Sequence, residues 1–385
     1  MIKRAAESTL LELSRGFPII ALVGPRQSGK TTLAQACYPD YEYFSLEDID
    51  TREEVLGDER GFLERRKCGF ILDEVQHAPN LFSYLQGYAD RCHEMGKIVL
   101  TGSQNFLMME RITQSLAGRV GSLELLPFAW DELDAAGELV ELDEQIFRGG
   151  YPPIYDRKIK PELWYPRYVQ TYIDRDVRSV RQISDLAMFQ KFIRLCAGRI
   201  GQLLNFSSLA NECGVDTKTA QSWLSVLETS YVVFQLPPYH KNFNKRIVKQ
   251  PKLYFHDTGL ACSLLGIQSF KQIETHYMRG SLFENAVIVE YLKKAYHAGL
   301  RPRLFFWRDH RGREIDLIEE TGEGIHATEM KSGATIQQQH LEPLRWFSET
   351  AKNRLLTSKL IYGGTRNTRR DNIEILSWHS LEPTG

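Results

Sequence analysis

Residues 24–31 read Gly-Pro-Arg-Gln-Ser-Gly-Lys-Thr, and they follow directly on the apolar run 17–23, Phe-Pro-Ile-Ile-Ala-Leu-Val. No other feature of the chain constrains its fold as much. A short, unbroken apolar run is a strand buried on both faces, and such strands belong to parallel sheets covered by helices. The G-x-x-x-x-G-K-[ST] turn lies between that strand and a helix predicted to start near Lys30. Its glycines let successive backbone N–H groups face one point, and the helix N-terminus adds its positive end. That arrangement suits a polyphosphate. Lys30 is expected to reach the β- and γ-phosphates and Thr31 to hold Mg²⁺, with Gly24, Pro25, Arg26, Gln27, Ser28, Gly29 and Thr32 completing the loop. ATP and Mg²⁺ are the expected cofactors.

Further strands carry the polar groups such a site needs. The run Phe70-Ile-Leu-Asp73-Glu74 has the form of a second phosphate-site strand, with Asp73 expected in the Mg²⁺ shell and Glu74 polarising the attacking water. The next apolar strand ends Leu100-Thr-Gly-Ser103-Gln104. In a parallel sheet the strand C-termini line the ligand crevice, so Ser103 or Gln104 either senses phosphate or merely caps the following helix. Strands alternating with helices predict an α/β domain over residues 1–150, a parallel sheet with helices on both faces.

The formal net charge of -1, read whole, argues against a nucleic-acid partner. The charge is unevenly placed, however. Residues 1–150 hold 15 Lys and Arg against 25 Asp and Glu, and residues 151–385 hold 33 against 24. Two halves with different partners, or scatter in surface charge, both fit that split. With 42% hydrophobic and 25% charged residues the chain is neither disordered nor low-complexity. The six cysteines, at 37, 68, 92, 196, 213 and 262, form no C-x-x-C pair, which suggests buried thiols in a reducing compartment. No run approaches the roughly 18 apolar residues of a membrane span. Glu7, Glu12 and Arg15 interrupt any signal-like segment, so a cytoplasmic protein away from membranes is expected.

Gly149-Gly150-Tyr151-Pro152-Pro153 is the clearest punctuation and marks a soft boundary. Residues 151–200 read as a helical linker or lid rich in Arg and aromatics. Over 201–260 the pattern is two short helices and two strands. Gly214 closes the first helix, Asp216 caps the second, and Ala220, Trp223, Leu224 and Leu227 form its core face. A winged-helix-like module follows, with Thr217, Lys218, Thr219, Gln221 and Ser222 facing a groove. Lys241, Lys245, Arg246, Lys249 and Lys252 would meet phosphates from the wing. DNA is the expected partner of residues 201–260. A protein partner fits the same module, and the basic loop is equally read as solvated surface.

Residues 261–385 read helix, three strands, helix. Glu284 lies near the start of the first helix. Alternation puts Glu314 with Asp316 on one strand face, and Glu329 with Lys331 on another. Two carboxylates that meet can hold a hard cation and activate water near a phosphodiester. Two charged antiparallel surface strands are the plainer reading.

Residues 24–32, 70–76, 100–104, 115–121 and 148–152 together resemble a widespread prokaryotic family of AAA-type ATPases that share a C-terminal region of unknown function, over nearly the whole chain. The resemblance implies an AAA-type N-terminal domain. It also places Arg119, between a helix and the next strand, where such ATPases carry an arginine finger; a structural arginine on an acidic surface is the alternative. A finger acting on a neighbour implies a homo-oligomer. The family's sensor position is often Asn and is Ser103-Gln104 here, with Arg148 a candidate second sensor. Asp316 followed after a hairpin by Glu329-x-Lys331 resembles the PD-(D/E)XK nuclease signature. That implies a small α/β restriction-endonuclease-like domain in which Asp316 and Glu329 bind Mg²⁺, Lys331 orients water and Glu284 adds a carboxylate.

A Mg²⁺-dependent ATPase switch whose C-terminal half engages DNA through a winged-helix-like and a nuclease-like module is the leading expectation. A regulatory ATPase switch whose C-terminal half binds protein without cutting is the second. A small-molecule kinase fits the Gly-rich loop but poorly fits the Asp73-Glu74 pair and the extra modules.

Overall fold

The computed structural model describes residues 2–66, 68–91, 94–103, 116–173, 183, 185–240 and 248–381, with 174–177 described in their backbone. Five strands make the first sheet: β1 (Ile19–Val23), β2 (Glu42–Ser45), β3 (Phe70–Asp73), β4 (Ile98–Gly102) and β5 (Val120–Glu124). All pair in parallel, in the order β2-β3-β4-β1-β5. Residues of β1 alternate between two cores. Ile19, Ala21 and Val23 pack on one side, Ile20 and Leu22 on the other, and all five are fully buried. The unbroken apolar run thus reflects a central strand covered by helices on both faces.

The first helix begins at Glu7 and runs to Gly16. Arg4 is withheld from it by tertiary bonds. Its guanidinium donates to Glu132 Oε1 (3.0 Å), the Ser28 carbonyl (2.7 Å) and the Leu126 carbonyl (2.7 Å). The helical stretch expected within 151–200 is divided. A helix Pro161–Tyr168 continues as a π-helical turn, Val169–Val177, and a separate helix Leu186–Ala197 follows.

The Gly149-Gly150 punctuation is a packed joint. Gly149 has φ +63°, and a Cβ there would lie 2.2 Å from the Tyr165 hydroxyl and 2.5 Å from Asp257 Oδ1. Asp257 accepts from Gly150 N (2.8 Å) and from the Tyr165 hydroxyl (2.7 Å). Tyr151, Trp164, Tyr165 and Tyr168 stack beside it, in one apolar core that extends from Leu126 to Leu381. The apolar core is therefore continuous across the joint.

In the middle of the chain, Asn205 caps the helix Phe206–Cys213, Gly214 ends it at φ +85°, and Asp216 caps the helix Thr217–Thr229. The antiparallel pair β6 (Val233–Leu236) and β7 (Lys252–Phe255) follows. Last comes a six-stranded mixed sheet of β8 (Leu304–Arg308), β9 (Glu314–Glu320), β10 (Ile325–Lys331), β11 (Leu355–Tyr362), β12 (Thr368–Arg370) and β13 (Ile373–Ser377). Its order is β12-β13-β11-β10-β9-β8. Strands β8, β9 and β10 form an antiparallel meander. The helix Glu342–Ala351 lies in the crossover to β11, which pairs with β10 in parallel. The helix Arg279–His297 contacts β10 and also reaches the first domain. There Glu290 accepts from Trp130 N (2.7 Å) and Lys293 Nζ donates to the Phe128 carbonyl (2.7 Å). Among the described residues no helix is long and apolar enough to cross a membrane.

Candidate functional site

The Gly-rich loop leaves β1 at Gly24, where a Cβ would come within 2.2 Å of the Leu125 carbonyl oxygen. Gln27 (φ +61°) and Gly29 (φ +93°) turn the backbone into the helix Lys30–Cys37. The Lys30 side chain is buried, its Nζ donating to the carbonyls of Gly24 (3.1 Å) and Pro25 (2.7 Å). Burial pushes its pKa down to about 8; Glu74 and Asp73 act against the fall and Arg26 adds to it. The Thr31 hydroxyl donates to Asp73 Oδ1 (2.9 Å), Thr101 donates to the same oxygen, and the Tyr43 hydroxyl donates to Oδ2 (2.7 Å).

Glu74 has left-handed backbone (φ +55°, ψ +49°), a costly conformation for a non-glycine residue that recurs at functional sites. Its carboxylate accepts from Ser103 Oγ (2.9 Å) and from the Gln76 amide. Ser103 thus bonds Glu74; the segment it is expected to cap lies outside the described residues. Gln104, the other sensor candidate, lies outside the described residues.

Lys30, Thr31, Asp73 and Glu74 border a cleft of about 410 Å³ with Arg26, Gln27, Gly29, Thr32, Glu47 and, from beyond the Gly149-Gly150 joint, Pro152, Pro153, Asp156 and Arg157. The residues after the Gly149-Gly150 joint thus roof the loop. Arg148, the candidate second sensor, pairs with Glu144 and does not line the cleft; the exposed Arg157 does. Arg119 also lies elsewhere. Ile19 pairs with Val120 and Val23 with Glu124, so Arg119 sits at the sheet edge where β1 begins, and the loop at the edge where it ends. At about 3.3 Å per residue the two are roughly 15 Å apart or more. Arg119 grips Asp90 in a two-pronged pair, Nε–Oδ1 2.5 Å and Nη2–Oδ2 3.2 Å. It cannot reach its own chain's phosphates.

The loop fits a polyphosphate. Among the described residues its lysine is buried without a carboxylate partner and donates only to loop carbonyls, and the Ser28 Oγ is buried with no hydrogen-bond partner. An anion entering the loop restores the charge on Lys30. Nucleotide binding at pH 8 is therefore expected to take up as much as about half a proton, read from the dependence of calorimetric enthalpy on buffer ionisation. Lys30→Ala should abolish the uptake together with binding. Normal binding by that variant would remove the loop from the site.

A second cluster lies in the C-terminal region. Glu284, Glu314 and Asp316 each present an oxygen within 4.8 Å of the others'. Met330 N donates to Asp316 Oδ2 (2.8 Å), and Lys331 Nζ donates to Glu329 Oε1 (2.7 Å). Burial, with the charges of Asp316 and Glu284, pushes the Glu329 carboxyl up to about 8 against the pull of Lys331. Burial likewise raises Glu284 to about 7, with Lys252 opposing. Of the residues expected around a cation, Asp316 and Glu284 come together with Glu314 as the third member, whereas Glu329 lies outside that group of three and is held by Lys331.

Lys252 departs from expectation. It is no wing contact but the first residue of β7, 2% exposed, with Nζ 2.9 Å from Glu284 Oε1 and paired with Glu314 as well. Alternation puts Tyr254 on the same face, donating to Glu284 Oε1 at 2.5 Å. Lys241, Lys245 and Arg246 lie outside the described residues. Lys249, Thr217, Lys218 and Gln221 are exposed, and Thr219 and Ser222 half-buried.

Residues 16–134 match a family model described as an AAA domain. The N-terminal third is an AAA-type P-loop ATPase domain. Beyond this ATPase domain, residues 139–271 and 279–381 match two models each described as a domain of unknown function, DUF8612 and DUF4143. An uncharacterized protein of Mycobacterium tuberculosis (strain ATCC 25618 / H37Rv) is 29% identical over 339 residues, 86% of this chain and 74% of its own. One of Methanocaldococcus jannaschii is 24% identical over 342 residues, 74% of this chain and 71% of its own. Among solved structures, a Walker-type ATPase of Pyrococcus abyssi is 16% identical with a TM-score of 0.45, covering 69% of this chain and 96% of that one. The Thermotoga maritima RuvB Holliday junction branch migration motor is 20% identical with a TM-score of 0.32, covering 60% and 89%. Likenesses of that degree carry no argument about what this chain acts on.

Proposed function

We propose that the chain is a Mg²⁺-dependent ATPase whose C-terminal half engages DNA and carries a divalent-metal centre suited to phosphodiester hydrolysis. The observation that carries this reading is the single helix Arg279–His297. It presents Glu284 to the carboxylate cluster and, by Glu290 and Lys293, holds the segment that also anchors Arg4 on the phosphate loop. In the ATPase domain, Lys30 and the loop amides hold the phosphates, and Thr31 and Asp73 would hold Mg²⁺, which supplies charge neutralisation when bound. Glu74, oriented by Ser103 and Gln76, accepts the proton of the attacking water. Arg119 serves the site of a neighbouring copy. In the C-terminal cluster Asp316, Glu329, Glu284 and Glu314 would hold the cation that activates water, and Lys331 stabilises developing charge.

For DNA, the caps and core of the helix pair Phe206–Cys213 and Thr217–Thr229, followed by the antiparallel pair β6–β7, support a winged-helix-like reading. The exposed Thr217, Lys218, Gln221 and Lys249 are its contact residues. Duplex affinity should fall steeply as salt rises from about 50 to 200 mM, through counterion release. Lys218→Ala with Lys249→Ala should flatten the slope. A flat dependence in the unaltered protein, or no DNA retained at low salt, would favour the protein-partner reading. That second reading has one observation of its own, the ammonium of Lys252 already seated among the carboxylates.

A further inference from the structure

The C-terminal cluster contains a cation of its own, and that cation comes from another module. Lys252 begins β7, the strand that pairs with β6 behind the helix pair, yet its ammonium lies on Glu284 and Glu314. The stem of the side chain is buried, with Nζ 5.5 Å from the centre of the Phe306 ring. Both oxygens of Glu314 are engaged, Oε1 by Lys252 and Oε2 by Arg308 at 3.2 Å. Glu284 Oε1 takes Lys252 and the Tyr254 hydroxyl together. Glu329 differs. It is 5% exposed, one oxygen meets Lys331, and Oε2 is buried with no hydrogen-bond partner among the described residues. An unpartnered carboxylate oxygen beside Asp316 and Glu284 is costly unless a cation meets it.

We infer that Lys252 is an internal counter-ion that competes with a divalent cation for Glu284 and Glu314, so that metal loads the cluster only as the ammonium withdraws. This rests on reading the cluster as a metal centre. An ammonium needs only hydrogen-bond distance to its carboxylates, whereas Mg²⁺ or Mn²⁺ must bind oxygens directly and holds them closer than an ammonium can. The two cannot share Glu284 Oε1 and Glu314 Oε1, and their like charges repel at this separation among half-buried carboxylates. Leu253, Tyr254 and Phe255 are fully buried in the core and Asn285 bonds both backbone groups of Phe255, so the ammonium withdraws by turning the Lys252 side chain while β7 stays in place. A phosphodiester held by the winged-helix-like module would draw the freed ammonium away from the carboxylates.

The test is Mn²⁺ binding by calorimetry to the full chain without nucleotide. The contribution of this cluster is isolated as the part lost on Asp316→Ala. Lys252→Met keeps the apolar stem on Phe306 and removes the charge, and should tighten that binding by at least about tenfold. Lys252→Arg keeps the charge and should bind as weakly as the unaltered protein. A second measurement needs no variant: mass spectrometry after amine labelling should find Lys252 protected without metal and labelled at saturating Mn²⁺. If Lys252→Met binds Mn²⁺ no tighter than the unaltered protein, or the amine stays protected at saturation, the competition is overturned while the metal centre stands. If no variant shows Mn²⁺ binding that depends on Asp316, both fall.

Discussion

Glu74→Gln binds ATP with unchanged affinity and hydrolyses it about 10²–10⁴-fold more slowly, the span typical of losing a general base. Glutamine keeps the shape of the side chain and can still accept from Ser103 Oγ, which donates to Glu74 Oε2 at 2.9 Å. It cannot take a proton. The strained backbone at φ +55° holds either side chain at the end of β3, beside Asp73. Phosphate release under saturating ATP, set against equilibrium nucleotide binding, measures the effect. Unchanged turnover would take Glu74 out of its role. Ser103→Ala is the milder companion, because it loosens the carboxylate without removing it.

Arg119→Ala loses turnover by about 10³–10⁵-fold, the range assigned to an arginine finger. The geometry adds a condition. Arg119 stands at the sheet edge where β1 and β5 begin, opposite the phosphate loop of its own chain, so the loss must be felt by a neighbour. Mixing Arg119→Ala with Lys30→Ala subunits therefore restores activity that neither has alone. The restored sites pair an intact loop from one copy with an intact arginine from the other. The bond to Asp90 leaves the guanidinium at the surface and releasable. Full turnover by Arg119→Ala, or no rescue on mixing, would make Arg119 only the partner of Asp90.

What was legible in the sequence is what the chain writes contiguously. The phosphate loop is eight consecutive residues whose geometry is local, and the β1 run shows burial on both faces because both faces are buried. Period-two alternation placed Glu314 with Asp316, yet only Asp316 stood out, because the nuclease-like signature carries no glutamate there. Other members of the two sites come from far along the chain and have no local signal. Tyr43 and Thr101 reach Asp73 from strands on either side of β3. Arg157 enters the cleft only because the Gly149 joint folds the following helix over the loop. Arg4 is one arginine near the N-terminus until its bonds to Ser28, Leu126 and Glu132 are seen. Lys252 illustrates a misleading signal. It closes a basic run and reads as one more phosphate contact, but strand alternation turns it, with Tyr254, onto Glu284. Charge composition cannot show which member of a run is buried.

The most direct test of a nucleotide switch joined to a DNA-engaging, metal-bearing half is one assay. DNA binding and nicking are followed with Mg²⁺, with and without ATP, for the unaltered protein and Asp316→Ala. Both proteins should retain DNA at low salt, nicking should require Mg²⁺ and change with ATP, and Asp316→Ala should lose nicking. Nicking that survives Asp316→Ala, or a protein that neither retains nor cuts DNA under any of these conditions, would contradict a switch of that kind.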